Sequence, residues 1–427
     1  MSMLEKALLI FLFLLPFQFA LNPTIGTDLP VGRVLAAVII LWWLIRGLAK
    51  KNIHLPPIYF TASVISFLGI AAASFLWVEN MDFALRKFFF LLNFFPLLFV
   101  FFDLGRERNK SSFWVKAFCA GAFGTALVGL GIFMSQFLFG VEKVFAWLIK
   151  ILPFFLGSNL GQAVIDHPSL LVNIGGATLL RATAFFPDPH VAAFYFGISG
   201  FLALGLFFQE RKKYFLVMSA VLFFADLLTF SRGAYFGLLV GTITFLLFGW
   251  KIFHTEAKKW IVVGLILSST LFFSFGQPVL SRFLSSFALE DTSSIERVVL
   301  WQEAFENIIE RPFFGTGLGN YILAVRPAES YRTPYYAHNL YLDVATELGL
   351  VGLFFFLLIL FIPLYGVLQN YVRTKNILSL SLAASLILYL IHSVFETALY
   401  SIHIFPLLLF VLALALIANE DEKSDLK

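Results

Sequence analysis

Two things are scarce in this chain of 427 residues, and each scarcity removes a class of protein. The one cysteine, Cys119, sits inside an apolar run, so a disulfide framework and a cysteine-based metal site are both excluded. Charge is the second scarcity. Asp, Glu, Lys and Arg make up 13% of the chain and hydrophobic residues 60%, against about 25% and 45–50% in soluble domains. An ordinary soluble enzyme is therefore excluded. A pI near 9.0 would suggest a nucleic-acid partner in a soluble chain. Here it reflects the loop charge that orients a membrane protein, and no nucleic acid is expected.

Long apolar runs fill the space that charge leaves. Each is long enough to cross a bilayer core of roughly 30 Å. They fall at about 4–21, 31–49, 57–78, 83–102, 113–139, 190–208, 214–230, 233–250, 260–276, 340–369, 376–395 and 402–418. The prediction is an all-α integral membrane protein of about 12 transmembrane helices, with 1–427 forming a single polytopic membrane domain. The first run lacks a small-x-small cleavage site before Asn22-Pro23, which reads as an uncleaved span rather than a signal peptide. No internal repeat or appended soluble domain is apparent, and the last eight residues read as a solvated tail.

Lysine and arginine placement orients the chain. Arg46, Lys50 and Lys51, then Arg106, Arg108 and Lys110, then Arg211, Lys212 and Lys213, then Lys251, Lys258 and Lys259, then Arg373 and Lys375 occupy alternating connections. Those connections should face the cytoplasm, with both termini on that side. Two long connections, 140–189 and 277–338, then belong to the extracytoplasmic face, the second lying between the ninth and tenth spans.

The basic residues of that outer face are mostly arginine: Arg33, Arg86, Arg181, Arg232, Arg282, Arg297, Arg311, Arg326 and Arg332. The loop 277–338 has five arginines and no lysine. A rigid, permanently charged guanidinium fork suits phosphate and carboxylate better than the point charge of lysine. The plainer reading pairs these arginines with the loop's own Glu290, Asp291, Glu296, Glu303, Glu306, Glu310 and Glu329, which leave it slightly negative overall.

Within the loop, Ser293-Ser294-Ile295-Glu296 has capping-box spacing, and a helix should run from there to about Glu310 before Pro312. Its apolar positions suit a helix on the membrane surface or roofing the bundle. Gly315-Thr316-Gly317-Leu318-Gly319 has neither the preceding strand nor the following helix of a nucleotide site, so it reads as tight turns. His338 then stands where the polar loop meets the next apolar helix, which His338 or Asn339 begins. The positive end of a helix dipole lowers a histidine pKa and favours the neutral imidazole. A histidine acting only as an interfacial cap fits the same position.

Three segments taken in order narrow the choice: Phe230-Ser231-Arg232-Gly233-Ala234, the stretch from Arg297 through Pro312 to Tyr321, and Ala337-His338-Asn339-Leu340-Tyr341-Leu342 followed by Glu347-Leu348-Gly349. The series resembles the O-antigen ligase and polymerase superfamily of polytopic membrane glycosyltransferases, the ligase branch above all, over roughly residues 181–355. The resemblance implies transfer of a glycan from an undecaprenyl-diphosphate carrier to an acceptor hydroxyl on the periplasmic face of a bacterial inner membrane. The acceptor would be a lipid A-core sugar in a ligase, a carrier-linked repeat in a polymerase, or a protein side chain in a third branch. It implies no metal, no other cofactor and no nucleotide sugar. By position His338 matches the family's catalytic histidine, and Arg232 and Arg297 its functional arginines. Arg181 stands where members carry an arginine before Pro-Asn; this chain has Pro187-Asp188-Pro189-His190 instead.

The residue types suit that chemistry. Neutral His338 would take the proton of the attacking hydroxyl as general base. Arg232, Arg297 and Arg181 would bind the diphosphate and steady its growing charge, and displacement would invert the anomeric centre. Glu347 and Asn339 are expected to support the site, Glu347 by orienting an arginine or backing the base. Asp226 reads as an acid paired near a span end, and His392, Glu396 and His403 as interfacial polar residues. The competing class is a glycolipid transporter or flippase, against which no matched pair of broken helices is apparent.

Overall fold

The computed structural model describes residues 2–24, 27–106, 110–166, 169–174, 176–253, 255, 258–259, 292–325 and 336–425. The expected span at 260–276, with Arg282, Arg326 and Arg332, lies outside the described residues.

The described residues are mostly helical, with two small antiparallel hairpins. In order come α1 (Met3–Leu14), β1 (Ala20–Thr24), β2 (Thr27–Pro30), α2 (Val31–Lys50), α3 (Ile58–Ala73), α4 (Met81–Gly105), α5 (Lys110–Phe139), α6 (Val141–Leu156) and α7 (Ser158–Asp166). Then follow β3 (Leu171–Ile174), β4 (Ala177–Leu180), α8 (Pro189–Glu210), α9 (Lys213–Leu227), α10 (Arg232–Gly249), α11 (Thr292–Glu310), α12 (Tyr321–Val325), α13 (Leu340–Thr374), α14 (Ile377–His392) and α15 (Ile404–Asp425). Among the described residues, seven helices are long and apolar enough to cross a membrane: α2, α3 with its 3-10 extension to Leu76, α4, α5, α8, α10 and α13. The helix Ile377–His392 and the stretch Ile404–Glu420 are apolar but shorter.

The first apolar run departs from its expected span. Helix α1 has 12 residues, about 18 Å at the α-helical rise. Pro16 brings no backbone donor and a ring that clashes with the preceding turn, which ends the helix. The Gln18 amide closes the bend, donating to the Leu15 carbonyl at 3.0 Å and accepting from Gly32 N–H at 3.0 Å. Likewise, the expected loop 140–189 is structured, holding α6, α7 and the β3–β4 hairpin.

Helix α8 is the axis of the bundle, buried at nearly every position. It packs on α9, α14 and α5, while α15 packs on α4 and α13, and α13 on α3. Helix α11 turns Leu300, Ala304 and Ile308 inward and leaves Ile295, Val298, Val299, Phe305 and Ile309 exposed. That two-faced pattern is the one expected of a helix that roofs the bundle and meets lipid on its other side.

At one end of the bundle α8, α10 and α13 begin while α9 and α14 finish. Backbone strain collects there. Among the described residues six non-glycine positions have positive φ; Lys51, Arg211 and Lys375 are helix C-caps, whereas Ala184, Phe230 and His338 lie in the turns at this end. Such conformations cost of order 1–3 kcal/mol and persist where surrounding contacts over-determine them.

The glycine turns expected at 315–319 occur, with Gly315, Gly317 and Gly319 all at positive φ. They dock on a break in α13 at Gly349 (φ 67°, ψ −178°). Thr316 N–H donates to the Thr346 carbonyl at 2.8 Å, Gly317 N–H to that of Glu347 at 2.8 Å, and Leu350 N–H to that of Pro312 at 2.7 Å. A Cβ at Gly349 would come within 2.1 Å of the Phe313 carbonyl oxygen, so only glycine fits. The turn's far side is held by Asn80 N–H, which donates to Asn320 Oδ1 at 2.7 Å, and by Leu318 N–H, which donates to Ser74 Oγ at 3.1 Å.

Candidate active site

Four short segments meet at the strained end, and each is locked by its own hydrogen bonds. Arg181 follows β4; its N–H donates to the Leu170 carbonyl, and Ala182 N–H donates to that of Leu228, each at 3.0 Å. This ties the first segment to the turn that carries Ser231 and Arg232. Asp188 caps α8, accepting from His190 N–H at 2.6 Å and Val191 N–H at 3.0 Å, with Pro189 at the first helical position. Ser231 caps α10 and accepts from Ala234 N–H at 3.4 Å. Behind it Gly233 leaves no room for a side chain, since a Cβ would lie 2.8 Å from Phe395 and 2.9 Å from His392.

The fourth segment holds His338. Asn339 caps α13, its Oδ1 accepting from Tyr341 N–H at 3.0 Å and Leu342 N–H at 3.2 Å. Ala337 N–H donates to Asp343 Oδ1 at 2.9 Å, the Thr397 hydroxyl donates to Asp343 Oδ2, and Leu340 N–H donates to the Ser393 carbonyl at 2.9 Å. Together these hold His338 at φ 49° against the turn that follows α14.

Glu396 lies at the centre. Its oxygens are 3.1 and 3.2 Å from His338 Nδ1, and one of them is 3.6 Å from His190 Nε2. The His338 side chain is 37% exposed and that of Glu396 only 9%, so the imidazole forms the open rim and the carboxylate its floor. Arg297 and Arg181 add positive charge: Arg297 acts on His338, Glu396 and His190, and Arg181 on His190. Arg232 and Arg181 are themselves buried, at 6% and 9% exposure. The structure thus brings His338, Arg297, Arg181 and the Ser231–Arg232 turn to one place.

The charges set one another. Burial disfavours ionisation of Glu396, yet His338, His190 and Arg297 outweigh it and hold the carboxyl below its ordinary range. Glu396 in turn raises the His338 imidazole above its ordinary 6.5, against burial and Arg297. The position at a helix start predicts the opposite sign; a carboxylate in direct contact overrides a partial dipole charge. Asp188, buried and close to the charge of Glu396, is pushed up to about 6.

Three placements correct the sequence reading. Glu347 meets a lysine, not an arginine: Lys87 Nζ on α4 donates to its Oε1 at 2.5 Å, beneath the Tyr400 ring at 4.4 Å. Asp226 is 1% exposed, and neither of its oxygens has a hydrogen-bond partner among the described residues. His403 turns away to the Leu15 carbonyl, 3.2 Å from its Nδ1. Glu396, His190 and Ser231 were missed as partners. The sequence did offer signals: Pro187-Asp188-Pro189-His190 where the resemblance leads one to expect Pro-Asn, Ser231 beside Arg232, and Glu396 as a late polar residue of the outer face.

Fold and site together define a multi-pass helical membrane protein with a charged, partly open polar centre at one end of its bundle. Comparison with known proteins sharpens the class. Residues 215–357 match the O-antigen ligase family, and in that segment, which carries Arg232, Arg297, His338, Asn339 and Glu347, the chain is similar to the O-antigen ligase superfamily. It is also 26% identical over 193 residues to a Rickettsia conorii protein named as a polysaccharide ligase; the match covers 42% of this chain and 46% of that protein, just under half its length. Arg181, His190 and Glu396 lie outside the family segment.

Proposed function

We propose that this chain is an O-antigen ligase-like glycosyltransferase of the bacterial inner membrane. It would move a glycan from undecaprenyl diphosphate to an acceptor hydroxyl, with a lipid A-core sugar favoured, on the periplasmic face. The observation that carries this reading is the His338–Glu396 pair: a partly exposed imidazole fixed by a buried carboxylate, with the charge of Arg297 beside it and that of Arg181 on the neighbouring His190.

The mechanism follows from that geometry. With Nδ1 bound to Glu396, the Nε2 lone pair of His338 is the basic group available to a sugar hydroxyl. As the acceptor oxygen bonds to the anomeric carbon, the bond from that carbon to the diphosphate oxygen breaks. The hydroxyl proton passes to His338, and Glu396 stabilises the imidazolium. The electron pair of the broken bond stays on the diphosphate, where Arg297, Arg232 and Arg181 would hold it. Direct displacement inverts the anomeric carbon. Helix α11, apolar outside and carrying Arg297 within, suits a donor whose charged head and lipid tail must be held together.

The test is purified protein in proteoliposomes with a radiolabelled glycan on undecaprenyl diphosphate, with and without lipid A-core. Label moving to lipid A-core, and lost in His338→Ala, supports the ligase reading. Label lengthening on its own carrier makes the protein a polymerase. Label left covalently unchanged in both tubes removes the ligase and polymerase readings and leaves a protein acceptor or a glycolipid transporter.

A further inference from the structure

The polar centre extends past Glu396 into the bundle, and the extension has a direction. Ser231 Oγ lies 2.8 Å from His190 Nδ1 and 3.3 Å from His392 Nε2. His392 is fully buried, its ring stacked on Phe194 at 3.7 Å, and its Nδ1 has no hydrogen-bond partner among the described residues. A buried N–H without an acceptor is rarer and costlier than a buried lone pair without a donor. His392 Nδ1 is therefore the lone pair, and Nε2 carries the hydrogen.

Every later bond is then fixed. His392 Nε2–H donates to Ser231 Oγ, which also accepts from Ala234 N–H. The hydroxyl hydrogen is left to donate to His190 Nδ1. His190 must then carry its hydrogen on Nε2, the nitrogen 3.6 Å from Glu396. That tautomer turns an N–H toward the side of an ionised carboxylate, which only accepts, and so the two ends agree.

We infer that His392, Ser231 and His190 form a one-way hydrogen-bond chain that sets the Nε2–H of His190 against Glu396 at ion-pair distance, 3.6 Å, which makes His190 a positioning residue that shares the carboxylate with His338 and so sets its basicity. This rests on the reading of His338 as the general base. The chain draws part of the Glu396 charge away from His338. The other charged groups facing this pair are Arg297 from α11, Asp188 at the start of α8 and Asp343 from α13, with Arg181 acting on His190.

Diethyl pyrocarbonate modifies only the unprotonated imidazole, so the pH dependence of His338 modification, read by mass spectrometry in detergent, reports its titration without any substrate. In His190→Ala the whole Glu396 charge falls on His338, and the midpoint should move up by roughly half to one pH unit. His190→Gln, whose amide N–H can still donate to Glu396, should keep the wild-type midpoint. Ser231→Ala removes the hydroxyl that links the two imidazoles and caps α10, and so frees the His190 tautomer; it should move the midpoint upward by less. Unchanged midpoints in both His190→Ala and Ser231→Ala would overturn the inference, as would equal shifts in His190→Ala and His190→Gln. Transfer assays on the same variants separate the two readings. A shifted midpoint in a protein with no glycosyl transfer sustains the chain and removes the enzyme, whereas transfer with an unmoved midpoint does the reverse.

Discussion

Glu396 and Glu347 are two buried acids, each against a cationic partner, and they do different work. The Glu347 carboxylate is 3% exposed and its partner Lys87 10%, capped by the Tyr400 ring, so both charges are closed off from any substrate. Glu396 is 9% exposed and its partner His338 37%, so one edge of that pair faces outward. The Lys87–Glu347 pair presents no open edge, whereas an imidazole raised from 6.5 changes protonation within the working pH range. The comparison teaches that burial of an acid does not mark a site; a titratable partner with an open edge does. Asp226, buried with no hydrogen-bond partner among the described residues, is the limiting case.

The comparison can be broken at each acid. His338→Ala should lower glycosyl transfer by about 10³-fold, measured as label moved per unit protein, with carrier-lipid binding retained. Lys87→Met leaves Glu347 buried without its cation and should destabilise by ~3–5 kcal/mol, read as a lower unfolding midpoint in detergent. The double change Lys87→Met with Glu347→Leu should recover most of that loss, and neither should move the pH profile. Glu396→Gln should cost transfer roughly 10²-fold and shift its pH dependence. The sign follows from the pair: Glu396 raises the His338 pKa, so the wild-type base form accumulates only above a midpoint higher than 6.5. Removing the charge moves the acid limb of the rate profile down. Asp226→Leu, which replaces a carboxyl without a hydrogen-bond partner among the described residues by an apolar group of similar size, should change stability by no more than about 1 kcal/mol and leave transfer intact.

What could be read from the sequence was what is local in the chain. The apolar pattern before Pro312 foretold α11, which begins at Thr292 and so holds the expected cap residue Ser293 inside it; the glycines foretold the turns at 315–319, and Asn339 foretold the start of α13. Apolar runs located the seven long helices but overran α1, because counting hydrophobic residues passes over the Pro16 break. The partnerships were illegible. Lys87 and Glu347 are separated by 260 positions, and His338 and Glu396 by 58. A carboxylate among apolar residues looks the same in sequence whether it meets a lysine, two imidazoles or nothing.

The clasp between the glycine turn and the break at Gly349 bears on how the protein is made. Residues 312–317 find their hydrogen-bond partners at 346–350, and their outer side rests on Ser74 and Asn80. During synthesis the later part of the loop cannot take its final shape when it leaves the ribosome; it must wait until some thirty further residues have followed and α13 has begun. The polar centre is then assembled late, and a chain truncated before residue 350 would carry Arg181, Arg232 and Arg297 without the clasp and without Glu396. Completion of the second half is thus the step that turns an inserted bundle into a finished polar centre.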